Sequence, residues 1–320
     1  MLLLHVGTQK TGSSSVQHFL RQNAGALRER SINFISASRP WIDHNSVAYE
    51  LRSDRTDTPK LDAVVADIRK SEHEVNIVSG EMLFHPRVPG RLAERLPPEI
   101  RQNAMVVIYL RRPDKYMEAL YKQRLKTGAI NPNPNKYLEE NQWECAYKEV
   151  IEGFRRVFGK DSIVIKPYER SLLQAGDIVA DFCSLLGITD LSGFQREKPQ
   201  DNPTFSVAVS ELMGMVARKS SLESAKINER IAAENMPGIF YGNDVYPLQL
   251  RRDLLSGMKD DLDYIAREYN EQLHKVFAVE DLYSDDPPRL PGKDEVLKRY
   301  RQGARAVIGA VAAFVEEKKK

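Results

Sequence analysis

The chain has 320 residues, 47 Lys and Arg against 45 Asp and Glu, a formal net charge of +2 and two cysteines. Its length supports a full core, as one large domain or one domain with an extension, and its balanced charge argues against a general nucleic-acid binder. With no disulfide framework or CxxC pair, a reducing, cytoplasmic compartment is expected; the chain enters its first strand at once, so no signal peptide is expected, and no run of about 18 apolar residues offers a membrane span.

Leu2, Leu3, Leu4 and Val6 read as a short buried strand, followed by a Gly7–Gly12 loop and three serines. A helix is predicted over Ser13–Arg30, a strand over Ile32–Ile35, and a helix over His44–Arg52. Asp54–Pro59 is polar and turn-rich, which predicts an exposed, mobile loop. The apolar stripe Leu61, Val64, Val65 and Ile68 marks a helix to Ser71. Val75–Ser79 is a strand ending in Gly80-Glu81, and Pro89–Arg101 carries a helix. Met105–Leu110 is an uninterrupted apolar run of the kind a central parallel strand shows. It ends in Arg111-Arg112-Pro113, before a helix over Asp114–Lys126. A turn at Asn131–Asn135, helix over Tyr137–Phe158, strand at Ile163–Ile165, and loop plus helix to Gly187 follow. Alternating strands and helices indicate an α/β fold, a three-layer P-loop-like parallel sheet covered by helices. From about Pro203 the pattern is helical: Ser206–Lys219, Leu222–Asn235, Pro247–Val276 and Asp294–Glu317, with a proline-rich linker at Asp285–Pro291. The division predicted is a core at 1–202 carrying the site and a helical part at 203–320 packed on it, a candidate for acceptor binding or oligomerisation.

A strand, a glycine-bounded loop and a hydroxyl-rich helix start form an anion cradle, because loop N–H groups and the positive end of the helix dipole converge there. Gly7 and Gly12 have the spacing of a nucleotide-triphosphate P-loop, but Ser13 stands where that motif has lysine, and the lysine lies inside the loop, at Lys10. The loop still offers backbone donors, hydroxyls and a cation, enough for a phosphate carrying a transferable group. The plain alternative is a strand-to-helix turn rich in small residues. NTPases place an acid at the end of a neighbouring strand to hold magnesium. Here Met105–Leu110 ends in two arginines, which suit a second anionic group; the alternative is a solvated arginine pair. Ligands of open α/β sheets sit at such strand ends.

HVGTQKTGSSSVQ, from His5 to Gln17, resembles the phosphosulfate loop of sulfotransferases that use 3′-phosphoadenosine 5′-phosphosulfate (PAPS), roughly HxGxxKTGTTxLQ. Val106–Gln123 resembles their 3′-phosphate motif, Ile163–Ile188 their strand, Tyr-Glu-Arg and helix, and Asn202–Ser206 their later Asn-x-Ser loop. The order and spacing match the bacterial branch acting on carbohydrates, over about residues 1 to 220. The resemblance implies that Lys10 stabilises charge on the bridging oxygen, that Thr11, Gly12, Ser13, Ser14 and Ser15 cradle the 5′-phosphate, that Arg111 holds the 3′-phosphate, and that Tyr168 faces adenine. 3′-Phosphoadenosine 5′-phosphate (PAP) would be the product. Tyr121 and Gln123 match too, as binding or packing residues. Ala119 departs from the pattern, standing where the family has a serine; losing such a hydrogen bond to a charged group costs about 1.5–3 kcal/mol, which Arg112 could offset.

Sulfuryl transfer needs an acceptor hydroxyl and a base to take its proton. Glu81, at a strand end beside the loop, is the first candidate, and related carbohydrate sulfotransferases use a glutamate in this role. A helix cap is the alternative for Glu81. His44, in an Asp-His-Asn run, is the second, with a surface or capping role as its alternative. His5 is expected to satisfy a buried hydrogen bond. No metal cluster or Ser-His-Asp arrangement is apparent. The expected activity is PAPS-dependent transfer to a hydroxyl of a carbohydrate or polysaccharide, with Arg124 and Lys126 as possible contacts for an acidic glycan. The rivals are a P-loop ATP-dependent kinase and a non-catalytic binding protein of the same fold. The acceptor and the oligomeric state are left open.

Overall fold

The computed structural model describes residues 1–39, 42–196, 204–220, 223–234, 236 and 239–318. The apolar runs form five strands, β1 (Leu2–Gly7), β2 (Ile32–Phe34), β3 (Val75–Ser79), β4 (Ala104–Leu110) and β5 (Ile163–Pro167). They build one sheet in the order β2-β3-β1-β4-β5, and every pairing is parallel. Every residue of β1 is buried, as expected of a strand flanked on both edges and covered on both faces. The expected helix-covered parallel α/β sheet is therefore present.

The chain divides into two compact units. The first comprises Met1–Arg112, Ala146–Gln200 and Met258–Ala278; the second comprises Pro113–Cys145, Asp201–Gly257 and Val279–Lys320. The units interleave along the sequence, and the division expected near 202 falls in residues 197–203, outside those described. Asn202 and Pro203 of the expected Asn-x-Ser loop fall there as well.

In the first unit, Leu3, Val107 and Tyr109 of the sheet pack with Val16, Phe19, Leu20, Phe182 and Cys183 from the helices Ser13–Gln22 and Ile178–Ser184. The helices Asn45–Arg52, Arg87–Arg95, Tyr147–Phe158 and Lys259–Tyr269 pack in succession, with Tyr147–Phe158 also against β4. The long first helix stops at Gln22. Asn23 takes its place, and both its backbone N–H and its side-chain amide donate to the Phe19 carbonyl (3.0 and 2.9 Å). A short helix, Ala24–Arg28, follows. The loop at 54–58 is largely exposed, as its polarity implies, yet it is fastened. Arg87 pairs with Asp54 (2.9 Å), and Arg91 and Arg95 donate to the carbonyls of Arg55 and Thr56. These arginines recur every fourth residue and so lie along one helix face.

In the second unit, Phe205, Val209, Met213, Ile227, Ile231, Ala306, Val307 and Phe314 share a core. The helix Lys293–Lys318 contributes one apolar stripe to it. Beyond residue 203 the described residues form helices and a single isolated bridge, Phe205 to Phe240. No helix among the described residues is long and apolar enough to cross a membrane.

Candidate active site at the ends of β1, β3 and β4

β1 is the middle strand, with β3 on one side and β4 on the other. Its pairing with β4 slips between His5 and Gly7, and the chain then turns into the loop. The Thr8 N–H and hydroxyl both donate to the Tyr109 carbonyl, at 3.0 and 3.2 Å. Gly7 has φ of +98°, and a Cβ there would lie 2.9 Å from the Cα of Glu81. Only glycine both tolerates that backbone and admits so close a neighbour. The start of the loop is thereby pressed against Glu81, two residues past the end of β3.

At its far end the loop becomes the helix Ser13–Gln22. Gly12 precedes it with φ of +77°, its position closed off by the Ile178 side chain 3.0 Å from a notional Cβ. No side chain caps this helix and no acid lies in its first turn. Ser15 and Val16 donate back to the Gly12 carbonyl, whereas the N–H groups of Ser13 and Ser14 belong to the set a helix cannot pair internally. An uncapped helix start with its dipole exposed suits an anion.

The hydroxyls divide between two tasks. Those of Thr11 and Ser13 are buried and donate to the Thr8 carbonyl, at 2.5 and 3.3 Å. They close the loop on itself and have no proton left to offer a ligand, so their expected contribution narrows to backbone N–H groups. Ser14 is exposed and Ser15 half-buried. Lys10 is exposed, with a left-handed φ of +59°, the kind of strained conformation that clusters at ligand-binding turns.

Glu81 is half-buried, and each of its carboxylate oxygens accepts one amide N–H. Gln17 Nε2 donates to Oε2 at 3.0 Å and Asn45 Nδ2 to Oε1 at 2.9 Å. The Asn45 carbonyl accepts the Met82 N–H at 3.0 Å, and Gln17 also reaches Ser79 Oγ at 3.2 Å. Asp43 lies nearby, accepting the Asn45 backbone N–H at 2.8 Å. Burial pushes its carboxyl up, and the charge of Glu81 adds to that. Neither Gln17 nor Asn45 was singled out as a site residue from the sequence. Gln17 closes the loop motif, but nothing local points either amide at Glu81.

His44 is not at the surface. It has no exposed area, its Nδ1 accepts the Ser79 N–H at 3.2 Å, and its own N–H donates to the Ser79 carbonyl at 2.7 Å. The ring stands edge-on to Phe34, with centroids 5.5 Å apart. It thus fastens the chain to β3, and its burial differs from the surface or capping place the sequence suggested. His5 is likewise buried, with Nδ1 2.8 Å from Ser79 Oγ, the hydrogen bond expected of it.

Burial lowers both imidazoles from 6.5 to about 4. The unfolded chain therefore binds more protons between these values, and stability present above pH 6.5 is lost as the pH falls toward 4. The loss is about 3 kcal/mol for each histidine. Thermal melts of the wild type should drop steeply across that window. His44→Gln, although less stable at pH 7, should show a shallower drop; an unchanged slope would contradict this account.

Arg111 leaves the end of β4 half-buried, and among the described residues its guanidinium has no carboxylate partner. Its carbonyl accepts the Tyr147 hydroxyl at 3.1 Å, and the Tyr168 N–H donates to Leu110 at 2.7 Å. Tyr168 lies beside it: burial raises the phenol and the Arg111 charge opposes that rise. Arg112 is different. It is buried and donates to the Ala278 carbonyl at 2.7 Å, a contact that supports the fold.

In the second unit, Ala119 is buried. Tyr121 is a core residue, its ring 5.4 Å from Tyr137 and 6.5 Å from Tyr246. Arg124 is paired with Glu144, and Lys126 sits over the Phe205 ring at 5.6 Å. Both cations therefore have local packing roles. Among the described residues no group of three or more His, Cys, Asp or Glu side chains could hold a metal ion.

No family model matches the chain. A relative from Archaeoglobus fulgidus, named as an uncharacterized protein, is 24% identical over 197 residues, covering 60% of this chain and 53% of its own length. The chain thus matches only about half of that relative. Among solved structures, it is similar to a sulfotransferase from Alicyclobacillus acidocaldarius, at 18% identity and a TM-score of 0.41, over 62% of this chain and 86% of that one.

Proposed function

We propose that the chain is a PAPS-dependent sulfotransferase that moves a sulfuryl group to a hydroxyl of a carbohydrate or polysaccharide. The observation that carries this reading is the pairing of two anion-seeking features at the ends of adjacent strands. One is the uncapped helix start with Lys10 after β1; the other is Arg111 after β4, beside Tyr168 and without a carboxylate partner among the described residues. A ligand with two separated phosphate-type groups and a flat base fits that donor set. The carbohydrate acceptor rests on the resemblance of the motifs alone.

When bound, PAPS supplies the sulfuryl group and a leaving PAP. The N–H groups of Ser13 and Ser14 and the hydroxyls of Ser14 and Ser15 hold the 5′-phosphate. Gly12 and Thr11 shape its cradle. Arg111 holds the 3′-phosphate, and Tyr168 covers the base. Lys10 neutralises the negative charge that grows on the bridging oxygen as the S–O bond breaks. Glu81 receives the proton of the acceptor hydroxyl as the new O–S bond forms. Positioning and charge neutralisation supply most of the acceleration.

Calorimetric titration with PAP, set beside ATP with magnesium, tests the reading. PAP should bind without a metal, and Arg111→Ala should weaken it by about ten- to a hundred-fold, the cost of a hydrogen bond to a charged group. Tight binding of ATP with magnesium and none of PAP would favour the kinase. Binding of neither would leave a non-catalytic protein.

A further inference from the structure

We propose that Gln17 and Asn45 are positioning residues for Glu81: each holds one carboxylate oxygen, and together they lock the base in register with the loop that carries Lys10. This inference rests on the sulfotransferase reading of the site.

The geometry is specific. Gln17 is 1% exposed and lies on the inner face of the helix that starts at the loop. Its two amide protons go to Ser79 Oγ and Glu81 Oε2, at 3.2 and 3.0 Å. Ser79 Oγ is itself 2.8 Å from His5 Nδ1, so the amide is anchored to β1 and β3 together. The orientation of Asn45 follows from its neighbours. Met82 N–H can only donate, so Asn45 presents its carbonyl there and its NH2 to Glu81. Two N–H donors, one on each oxygen, fix the rotation of the carboxylate as well as its place.

Each carboxylate oxygen can accept more than one hydrogen bond, which leaves capacity for an acceptor hydroxyl. The titratable groups around Glu81 are Asp43, coupled to it through charge and through Asn45, and the buried imidazoles of His44 and His5, which meet the same Ser79. Lys10 follows on the loop whose first glycine packs on Glu81. Because Gln17 and Lys10 flank the same helix start, the base and the leaving-group cation are tied to one rigid element. Displacement of either by about 1 Å is enough to cost a hundred-fold in rate.

The bland role for Asn45 is a cap on the turn at Met82. Asn45→Asp separates the two, since it keeps an oxygen for Met82 N–H and removes the donor to Glu81. Side-chain amide NMR on the full chain gives a direct readout. The NH2 signals of Gln17 and Asn45 should move together in a pH titration, and Glu81→Gln should abolish that movement. Signals that ignore Glu81→Gln would overturn the proposal. On any glycan that takes label from radiolabelled PAPS, Asn45→Asp and Gln17→Met should lower kcat by about ten- to a hundred-fold. Their PAP affinity should stay within about three-fold of the wild type, a difference below 1 kcal/mol. Wild-type kcat in both variants would also overturn it. Failure of the wild type to bind PAP would instead defeat the sulfotransferase reading, while the amide coupling to Glu81 would still be observed.

Discussion

Lys10→Ala should lower sulfuryl transfer by about a hundred- to a thousand-fold, the usual cost of removing a group aimed at charge that develops in the transition state. Lys10 is exposed, so the fold should survive the change. PAP binding should fall far less than the rate, because the lysine acts most strongly on charge that appears as the bond breaks. Transfer that persists undiminished would remove Lys10 from the mechanism. Its backbone offers an independent check. With φ of +59°, alanine at this position keeps the left-handed strain and glycine does not. Lys10→Gly should therefore be more stable than Lys10→Ala by about 1 kcal/mol, while being equally inactive.

Arg251→Met should destabilise the second unit by about 3–5 kcal/mol, the cost of leaving buried charges without their partner. Arg251 is 1% exposed, 3.0 Å from Asp114 Oδ2, paired also with Glu118, and donating through Nε to the Tyr246 carbonyl at 3.1 Å. Burial alone would push the Glu118 carboxyl up, but Lys122 and Arg251 outweigh it and hold it below its ordinary value. Chemical denaturation would measure the loss. Adding Asp114→Asn to Arg251→Met should recover part of it, since one of the orphaned charges is then gone; no recovery would mean that packing, not charge, dominates.

The sheet was legible in the sequence for a simple reason. Strands buried on both faces read as apolar runs; β4 is an unbroken one, and β1 is interrupted only by His5 and β3 by Asn76 before their polar or glycine ends. Their ends then located Lys10, Glu81 and Arg111. Contacts that depend on tertiary placement were not legible. Asp-His-Asn looks like an exposed turn, yet His44 is buried under β3 and Asn45 reaches a carboxylate 36 positions away. The single helix predicted over Pro247–Val276 is instead three, Leu248–Gly257, Lys259–Tyr269 and Leu273–Phe277. Its second break is at Asn270, whose amide donates to the Ile165 carbonyl on β5 at 2.9 Å. Local propensity favours continuation there; a distant carbonyl decides otherwise.

That bond from Asn270 to β5 has a consequence for the chain as it is made. β5 lies at the edge of the sheet, and the segment Met258–Ala278, which packs on it, is translated long after all five strands. At synthesis rates of about 5–20 residues per second, the nascent sheet carries an open edge for several seconds. Such edges are templates for wrong pairing, so this is the interval in which a chaperone would be needed most.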